Sequence, residues 1–222
     1  LLKVHFPVDI HTDEAAFDIQ FGNLTRKIHT NTSWDMARFE SCGQKWMDFS
    51  EGHYGISLLN DCKYGHSVKD STITLTLIKS GIEPNPVTDQ EEHFFTYSLY
   101  PHAGNLRECD TVKESYNLNV PLLALAAGTP GRQESLLSVD APNIIIETVK
   151  ESEDGEGIIV RMYEYENTKT HAAVTLGMDK KIKKVYECNL MEELEDNAVE
   201  YTDKEFRFLI KPFEIKTYKI LL

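Results

Sequence analysis

The densest run of residue types able to contact a polar ligand is Ser50-Glu-Gly-His-Tyr-Gly-Ile-Ser-Leu-Leu-Asn-Asp-Cys-Lys-Tyr-Gly-His-Ser67. Within it a short apolar strand, Ile56 to Leu59, runs into Asn60-Asp61-Cys62-Lys63-Tyr64-Gly65. A carboxylate, an amide, an ammonium and a phenol converge on that loop, a set suited to a hydroxyl-rich ligand such as a sugar. Asn, Asp and Gly at a strand end also build an ordinary turn. Both readings stand at this level. Other chemistry has less behind it. His53 and His66 are 13 residues apart and His93 and His102 nine, and no carboxylate–histidine pair has the short spacing of a zinc site. Asp35, Glu40, Asp48, Glu51, Asp61 and Asp89 are candidates for the carboxylate pair of glycoside hydrolysis, but most are expected in solvent and none can be assigned. Gly52-His-Tyr-Gly55 holds no serine, so a nucleophile elbow is absent there. Trp34 and Trp46 have the faces to stack on a sugar ring, although burial in a core is the commoner fate of such residues.

The elements that would carry these residues are strands. Thr72-Ile-Thr-Leu-Thr-Leu-Ile78 alternates with period two, placing Ile73, Leu75 and Leu77 on one face and threonines on the other. Phe94 to Tyr100 is rich in β-formers, and Ile158 to Tyr163, His171 to Leu176, Phe206 to Ile210 and Ile215 to Leu221 repeat the theme. Convincing helices are few. Val120 to Gly128 has helix formers but is short and opens next to Pro121, and Glu187 to Asn197 reads as one turn at most between strands. The chain is predicted to be all-β, with sandwich architecture. Two Gly and a Pro in Ala127-Gly-Thr-Pro-Gly-Arg-Gln133 suggest a boundary, giving residues 1–131 and 132–222 as the two parts.

Composition sets outer limits. At 222 residues, with 41% hydrophobic and 27% charged, the chain can bury a proper core and is not disordered. A net charge of −13 repels phosphate backbones and argues against a nucleic-acid partner. No apolar run reaches the roughly 18 residues of a spanning helix, so a membrane segment is not expected. Cys42, Cys62, Cys109 and Cys188 include no CxxC pair, which fits a reducing compartment and mostly buried free thiols. The tripeptides Asn23-Leu-Thr and Asn31-Thr-Ser would matter as glycosylation sites only on a secreted chain. Opening on Leu1-Leu-Lys-Val-His-Phe, which reads as a strand, the chain looks cut from something longer.

Taken together, Phe21-Gly-Asn-Leu-Thr-Arg26, Asn31-Thr-Ser-Trp-Asp-Met-Ala-Arg-Phe-Glu40, Gly55-Ile-Ser-Leu-Leu-Asn-Asp-Cys-Lys-Tyr-Gly-His66, Phe95-Thr-Tyr-Ser-Leu99 and Lys211-Pro-Phe-Glu-Ile-Lys-Thr217 resemble the α-mannosidases of glycoside hydrolase family 38. The similarity is to the cytosolic, vacuolar and bacterial branch. It implies residues 1–131 as the latter part of a large β-sandwich and 132–222 as a smaller C-terminal β-sandwich. It implies a catalytic domain elsewhere in the same polypeptide, carrying the nucleophile, the acid/base and a zinc or other divalent cation, with no catalytic residue or metal ligand here. Retaining hydrolysis of terminal α-mannosides in glycans, a cytoplasmic location and substrate contacts from Asn60, Asp61, Lys63, Tyr64 and Lys79 are implied by the same resemblance. The uncovered face of such a fragment leaves room for a homo-oligomer. Gln44-Lys45-Trp46 departs from a family His-Lys-Trp, and Lys79 stands where Arg is expected, which removes a bidentate fork. Two other readings compete. One is a free-standing carbohydrate-binding sandwich with Trp34, Trp46 and Tyr64 as its platform, and the other is a structural module with no ligand.

Overall fold

A computed structural model of the chain describes residues 1–126, 131 and 134–222. Spatial proximity divides it into Leu1–Ala124 and Leu125–Leu222. Of the boundary segment 127–133 read from the sequence, all but Gly131 lie outside the described residues.

The first unit contains β1 (Leu2–Pro7), β2 (Glu14–Ile19), β3 (Gly22–Lys27), α1 (Ser33–Ala37), β4 (Ser41–Cys42), β5 (Trp46–Ser50), β6 (Tyr54–Asn60), β7 (Gly65–Lys69), β8 (Thr72–Ile78), β9 (Tyr97–Ala103) and α2 (Thr111–Asn119). Its strands form two antiparallel sheets, ordered β1-β8-β7-β4 and β3-β2-β5-β6-β9. Phe17, Met47, Phe49, Ile56 and Leu58 from the second sheet meet Val68, Ile73, Leu75 and Leu77 from the first in one core. That interleaving makes the unit a sandwich. Strand β8 occupies the residues predicted for it, with Ile73, Leu75 and Leu77 facing the core. Thr74, on the other face, is buried too, and its hydroxyl meets His5 Nδ1 at 3.1 Å.

Three differences from the sequence reading have physical reasons. The strand expected at Phe94 starts at Tyr97, because the Thr96 N–H and carbonyl bond to Asp61 instead of joining the ladder. Pro101 is accommodated since β9 is an edge strand. Helix α2 is absent from the sequence reading: its buried residues, Thr111, Val112 and Ser115, are mostly polar, so apolar periodicity never signals it. The helix formers after it, from Val120 to Ala126, have no regular structure. The cysteines are free, but Cys42 and Cys62 are exposed and only Cys188 is fully buried, so the expectation of mostly buried thiols is corrected.

The second unit contains β10 (Leu137–Val139), β11 (Ile144–Glu151), β12 (Ile158–Glu164), β13 (Thr170–Leu176), β14 (Lys184–Cys188), β15 (Glu200–Tyr201), β16 (Glu205–Ile210) and β17 (Ile215–Leu221). Its sheets, β10-β13-β16-β15 and β11-β12-β17-β14, enclose Val160, Met162, Val174, Phe206, Phe208, Ile210, Tyr218 and Ile220. Tyr218 sits 4.9 Å from Phe206 and 5.4 Å from Phe208 by ring centroids. Burial pushes its phenol far above the usual value, so it stays neutral.

One carboxylate lies wholly inside this unit. Glu164 Oε1 accepts hydrogen bonds from Asn143 Nδ2 at 2.9 Å and the Glu166 N–H at 2.7 Å. Its Oε2 accepts the Phe213 N–H at 3.0 Å, closing the turn between β16 and β17. All three partners are donors, so Glu164→Gln must aim its NH2 at one of them. We expect a loss of about 1–3 kcal/mol, read as a lower urea midpoint in near-ultraviolet circular dichroism. An unchanged midpoint would show that the carboxylate is dispensable there.

Candidate functional site

The candidate site is built where β6 leaves its sheet. The strand is buried along most of its length, and Asn60 terminates it inside the protein. Every polar group of Asn60 is engaged. Its side-chain oxygen accepts the Lys63 N–H at 2.6 Å, its Nδ2 donates to the Gln44 carbonyl at 2.8 Å, and its own N–H donates to the Lys45 carbonyl at 3.0 Å. Asn119, at the end of α2, donates Nδ2 to the Asn60 carbonyl at 3.0 Å. Asn60 therefore fixes the turn from within. Within this chain Asn60, expected as a substrate contact, is fully buried and its amide is engaged in holding the turn.

Asp61, Lys63 and Tyr64 project from the turn so fixed. Asp61 Oδ2 accepts the Thr96 N–H at 2.9 Å, while the Asp61 N–H donates to the Thr96 carbonyl at 3.1 Å. Its Oδ1 is shielded from solvent and has no hydrogen-bond partner among the described residues. Burial raises the Asp61 pKa, but the Cys62 thiol and Thr96 outweigh it and leave the carboxyl below its ordinary value. The Thr96 strap also brings Phe95 beneath Lys63, whose Nζ lies 5.0 Å from the ring centroid. No carboxylate pairs with Lys63 among the described residues. Tyr64 is half exposed, and its carbonyl accepts the Gly43 N–H at 3.1 Å.

Lys79 joins this end of the molecule through register. Gly65 opposes Thr76 in the antiparallel β7–β8 pair, so the residues before Gly65 and those after Thr76 leave the sheet at the same end. Between them sits Glu40. A Cβ on Gly65 would lie 3.2 Å from Thr76 and 3.5 Å from the Glu40 carboxyl carbon. Glu40 accepts from Lys3 Nζ at 2.8 Å and from the Thr76 hydroxyl. Burial pushes its carboxyl up, yet those two hydrogen bonds and the charges of Lys3 and Lys79 hold it below the usual range. Glu40 and Lys79 thus lie at the same end of the β7–β8 pair as the 61–64 turn, where an aromatic ring sits under the Lys63 ammonium. The sequence reading had no route to Phe95, Thr96 or Asn119, because their proximity to the turn is made by β9 and α2. Glu40 was visible only as one of several unassignable carboxylates.

The other candidates scatter. Trp46 is buried and Trp34 exposed, and they form no platform with Tyr64. Asp35 closes the capping box of α1 with Thr32. Asp48 is buried against His102 Nε2 at 2.8 Å, with Ser57 donating at 2.8 Å and Ser50 at 2.6 Å. The Ser57 hydroxyl meets Thr111 at 2.6 Å, which pins the start of α2. This cluster is closed to ligands and serves to hold the helix. No group of three or more His, Cys, Asp or Glu that could hold a metal ion occurs among the described residues. Among the described residues no helix is long and apolar enough to cross a membrane.

The chain is two successive antiparallel sandwiches, the first carrying a polar turn between β6 and β7. Comparison with known families agrees: the glycosyl hydrolases family 38 C-terminal domain matches residues 1–87, and the family's C-terminal beta sandwich domain matches residues 143–218. The chain belongs to glycosyl hydrolase family 38, as the sequence motifs implied. It is 37% identical to human Alpha-mannosidase 2C1 over its whole length, and 38% identical to Alpha-mannosidase G of Dictyostelium discoideum. An alpha-mannosidase of Saccharomyces cerevisiae is 34% identical over 99% of the chain. An alpha-mannosidase structure from Enterococcus faecalis superposes with a TM-score of 0.79 over 98% of the chain at 21% identity, and shows the shared fold. The chain spans only 22% of the human relative and 25% of that solved chain.

Proposed function

We propose that this chain is the non-catalytic C-terminal β-region of a cytoplasmic, retaining α-mannosidase acting on terminal α-linked mannose in glycans. Its partner is the catalytic domain of the same polypeptide, which holds the divalent cation. In this reading the 60–64 turn walls the sugar pocket. Asp61 accepts from a sugar hydroxyl, Lys63 donates to one, and Tyr64 and Lys79 complete the rim. The observation that carries it is the partly buried Lys63 and exposed Tyr64 beside Asp61 on a turn whose backbone is pinned by Asn60, Asn119 and Thr96, with no carboxylate paired to Lys63 among the described residues. A turn needs only its Asn and Gly, whereas an unpaired ammonium and a phenol beside a carboxylate suit a hydroxyl-rich ligand. The free-standing lectin-like alternative loses its platform with the burial of Trp46.

A hydrogen bond between a charged group and a sugar hydroxyl is worth roughly 1.5–3 kcal/mol, or about 10- to 100-fold in rate. In the full-length enzyme, Asp61→Ala and Lys63→Ala should each lower kcat/KM by about that factor, Lys63→Ala with little change in melting temperature and Asp61→Ala with the added loss of its Thr96 hydrogen bond. Variants that unfold the enzyme yet keep full specific activity would make the turn purely structural. The 222-residue chain alone should release no product from an aryl α-mannoside, with or without zinc. Turnover that survives stringent purification would place the catalytic groups here after all.

A further inference from the structure

Helix α1 is held together without burying anything. Thr32 and Asp35 form a reciprocal capping box, Arg38 Nη2 donates to Asp35 Oδ1 at 2.8 Å, and His29 Nδ1 lies 3.4 Å from Asp35 Oδ2. None of its residues is buried. Local polar contacts thus order a five-residue helix that gains nothing from the core beneath it. What it displays is apolar. Trp34 is 80% exposed, Met36 64% and, one turn on, Phe39 71%. Single exposed apolar residues need no explanation, but a Trp, a Met and a Phe within six residues form the kind of anchor cluster that interfaces use.

Beside this helix lies a cavity of about 430 Å³. Met36 and Phe39 line it together with Arg26, Lys27, Arg38 and Lys69, and Asp35 is its one carboxylate. On a chain with net charge −13 this is a locally basic spot next to an apolar ridge. Two of the cations are already answered: Lys27 pairs with Asp13 and Glu14, and Arg38 with Asp35. Arg26 donates to the Cys42 carbonyl, and neither it nor Lys69 has an ion pair among the described residues. The local charge therefore suits an acidic side chain.

We infer that α1 and this cavity form a docking face for the catalytic region of the same polypeptide, which presents to it an apolar patch carrying an acidic residue. The inference rests on the proposed function for the existence of that region. Most of the length of the relatives lies outside the span this chain covers, which supplies the occupant. In the assembled enzyme Trp34, Met36 and Phe39 are covered, and their apolar area leaves water on docking.

The test places a photo-crosslinker at the centre of the face in full-length enzyme, as Trp34→p-benzoylphenylalanine. Because Trp34 is exposed and outside both cores, the substitution should leave folding intact, which mannosidase activity checks. Irradiated product is mapped by mass spectrometry. The expected adduct has the mass of one chain and joins residue 34 to a peptide of the catalytic region that contains Asp or Glu. Oxidative footprinting of unmodified full-length enzyme should show Met36 oxidised severalfold more slowly than in the urea-unfolded protein. An adduct at twice the chain mass would assign the face to a second copy. An adduct within residues 125–222, or none together with an unprotected Met36, would equally overturn the proposal. Loss of the inference leaves the proposed function standing, since that one fails separately, on unchanged kcat/KM of the Asp61 and Lys63 variants.

Discussion

Ile73→Ala should destabilise the first unit by about 2–5 kcal/mol, the cost of a cavity in a well-packed core. Ile73 has no exposed surface and lies in the middle of β8, between β1 and β7, facing the side chains of the opposite sheet. Neighbouring strands on both sides hold the backbone in place, so the space left by three methyl and methylene groups cannot collapse. Both tryptophans of the chain, Trp34 and Trp46, lie in this unit, so urea unfolding followed by tryptophan emission reports on it directly. The midpoint should fall steeply while the folded fraction of the full-length enzyme keeps its specific activity. That makes Ile73→Ala the counterpart of Lys63→Ala, where activity falls and the midpoint stays. A variant with an unmoved midpoint would mean that the two sheets do not meet as described.

The second large effect is in acid. His66 on β7 is fully buried, stacked edge-on to Phe17 at 6.4 Å and covered by Gly43, where even a Cβ would come within 2.9 Å of the ring. Burial pulls its pKa down to about 4, against the weaker opposing pulls of the Gly43 backbone and the Glu40 charge. The unfolded chain takes up a proton near pH 6.5, whereas the folded one waits until about 4. Between those values the unfolded state binds more protons, so stability drops as pH falls, by roughly 3 kcal/mol in all. His102 has the opposite sign. Burial lowers its pKa, but the Asp48 hydrogen bond and charge more than reverse that and leave it raised. Its contribution is complete below about pH 6.5 and is lost as pH rises through the folded value. The first unit should therefore be most stable near pH 6.5. Replacing His66 by Gln lowers stability at neutral pH and flattens the slope between about pH 6.5 and 4.5. An unaltered slope in that variant would assign the acid limb to other groups. Asp61 and Glu40, with carboxyls held below their ordinary values, lose their contributions lower in the pH range.

Much of the scaffold was legible from the residues. Alternation marked β8 and β16, whose core residues Ile73, Leu75 and Leu77 and Phe206, Phe208 and Ile210 recur with period two. Strands β12, β13 and β17 bury consecutive residues and were legible as short runs of β-formers. The family motifs likewise carried the identification, since Asn60-Asp61-Cys62-Lys63-Tyr64-Gly65 is a string of fixed neighbours. The helices were not legible, for α1 rests on polar capping and α2 on buried Thr and Ser.

Within the site the division is sharper. Asp61, Lys63 and Tyr64 could be named from sequence, because a strand ending in Asn, Asp and Gly must turn and expose its next residues. That Asn60 is spent on the turn, and that Phe95, Thr96, Glu40 and Asn119 surround it, depends on contacts between residues 16 to 59 positions apart. Composition and local pattern carry no record of such distances. They are set by which strands pair, in which register and order, and those depend on the packing of two whole sheets around a shared core.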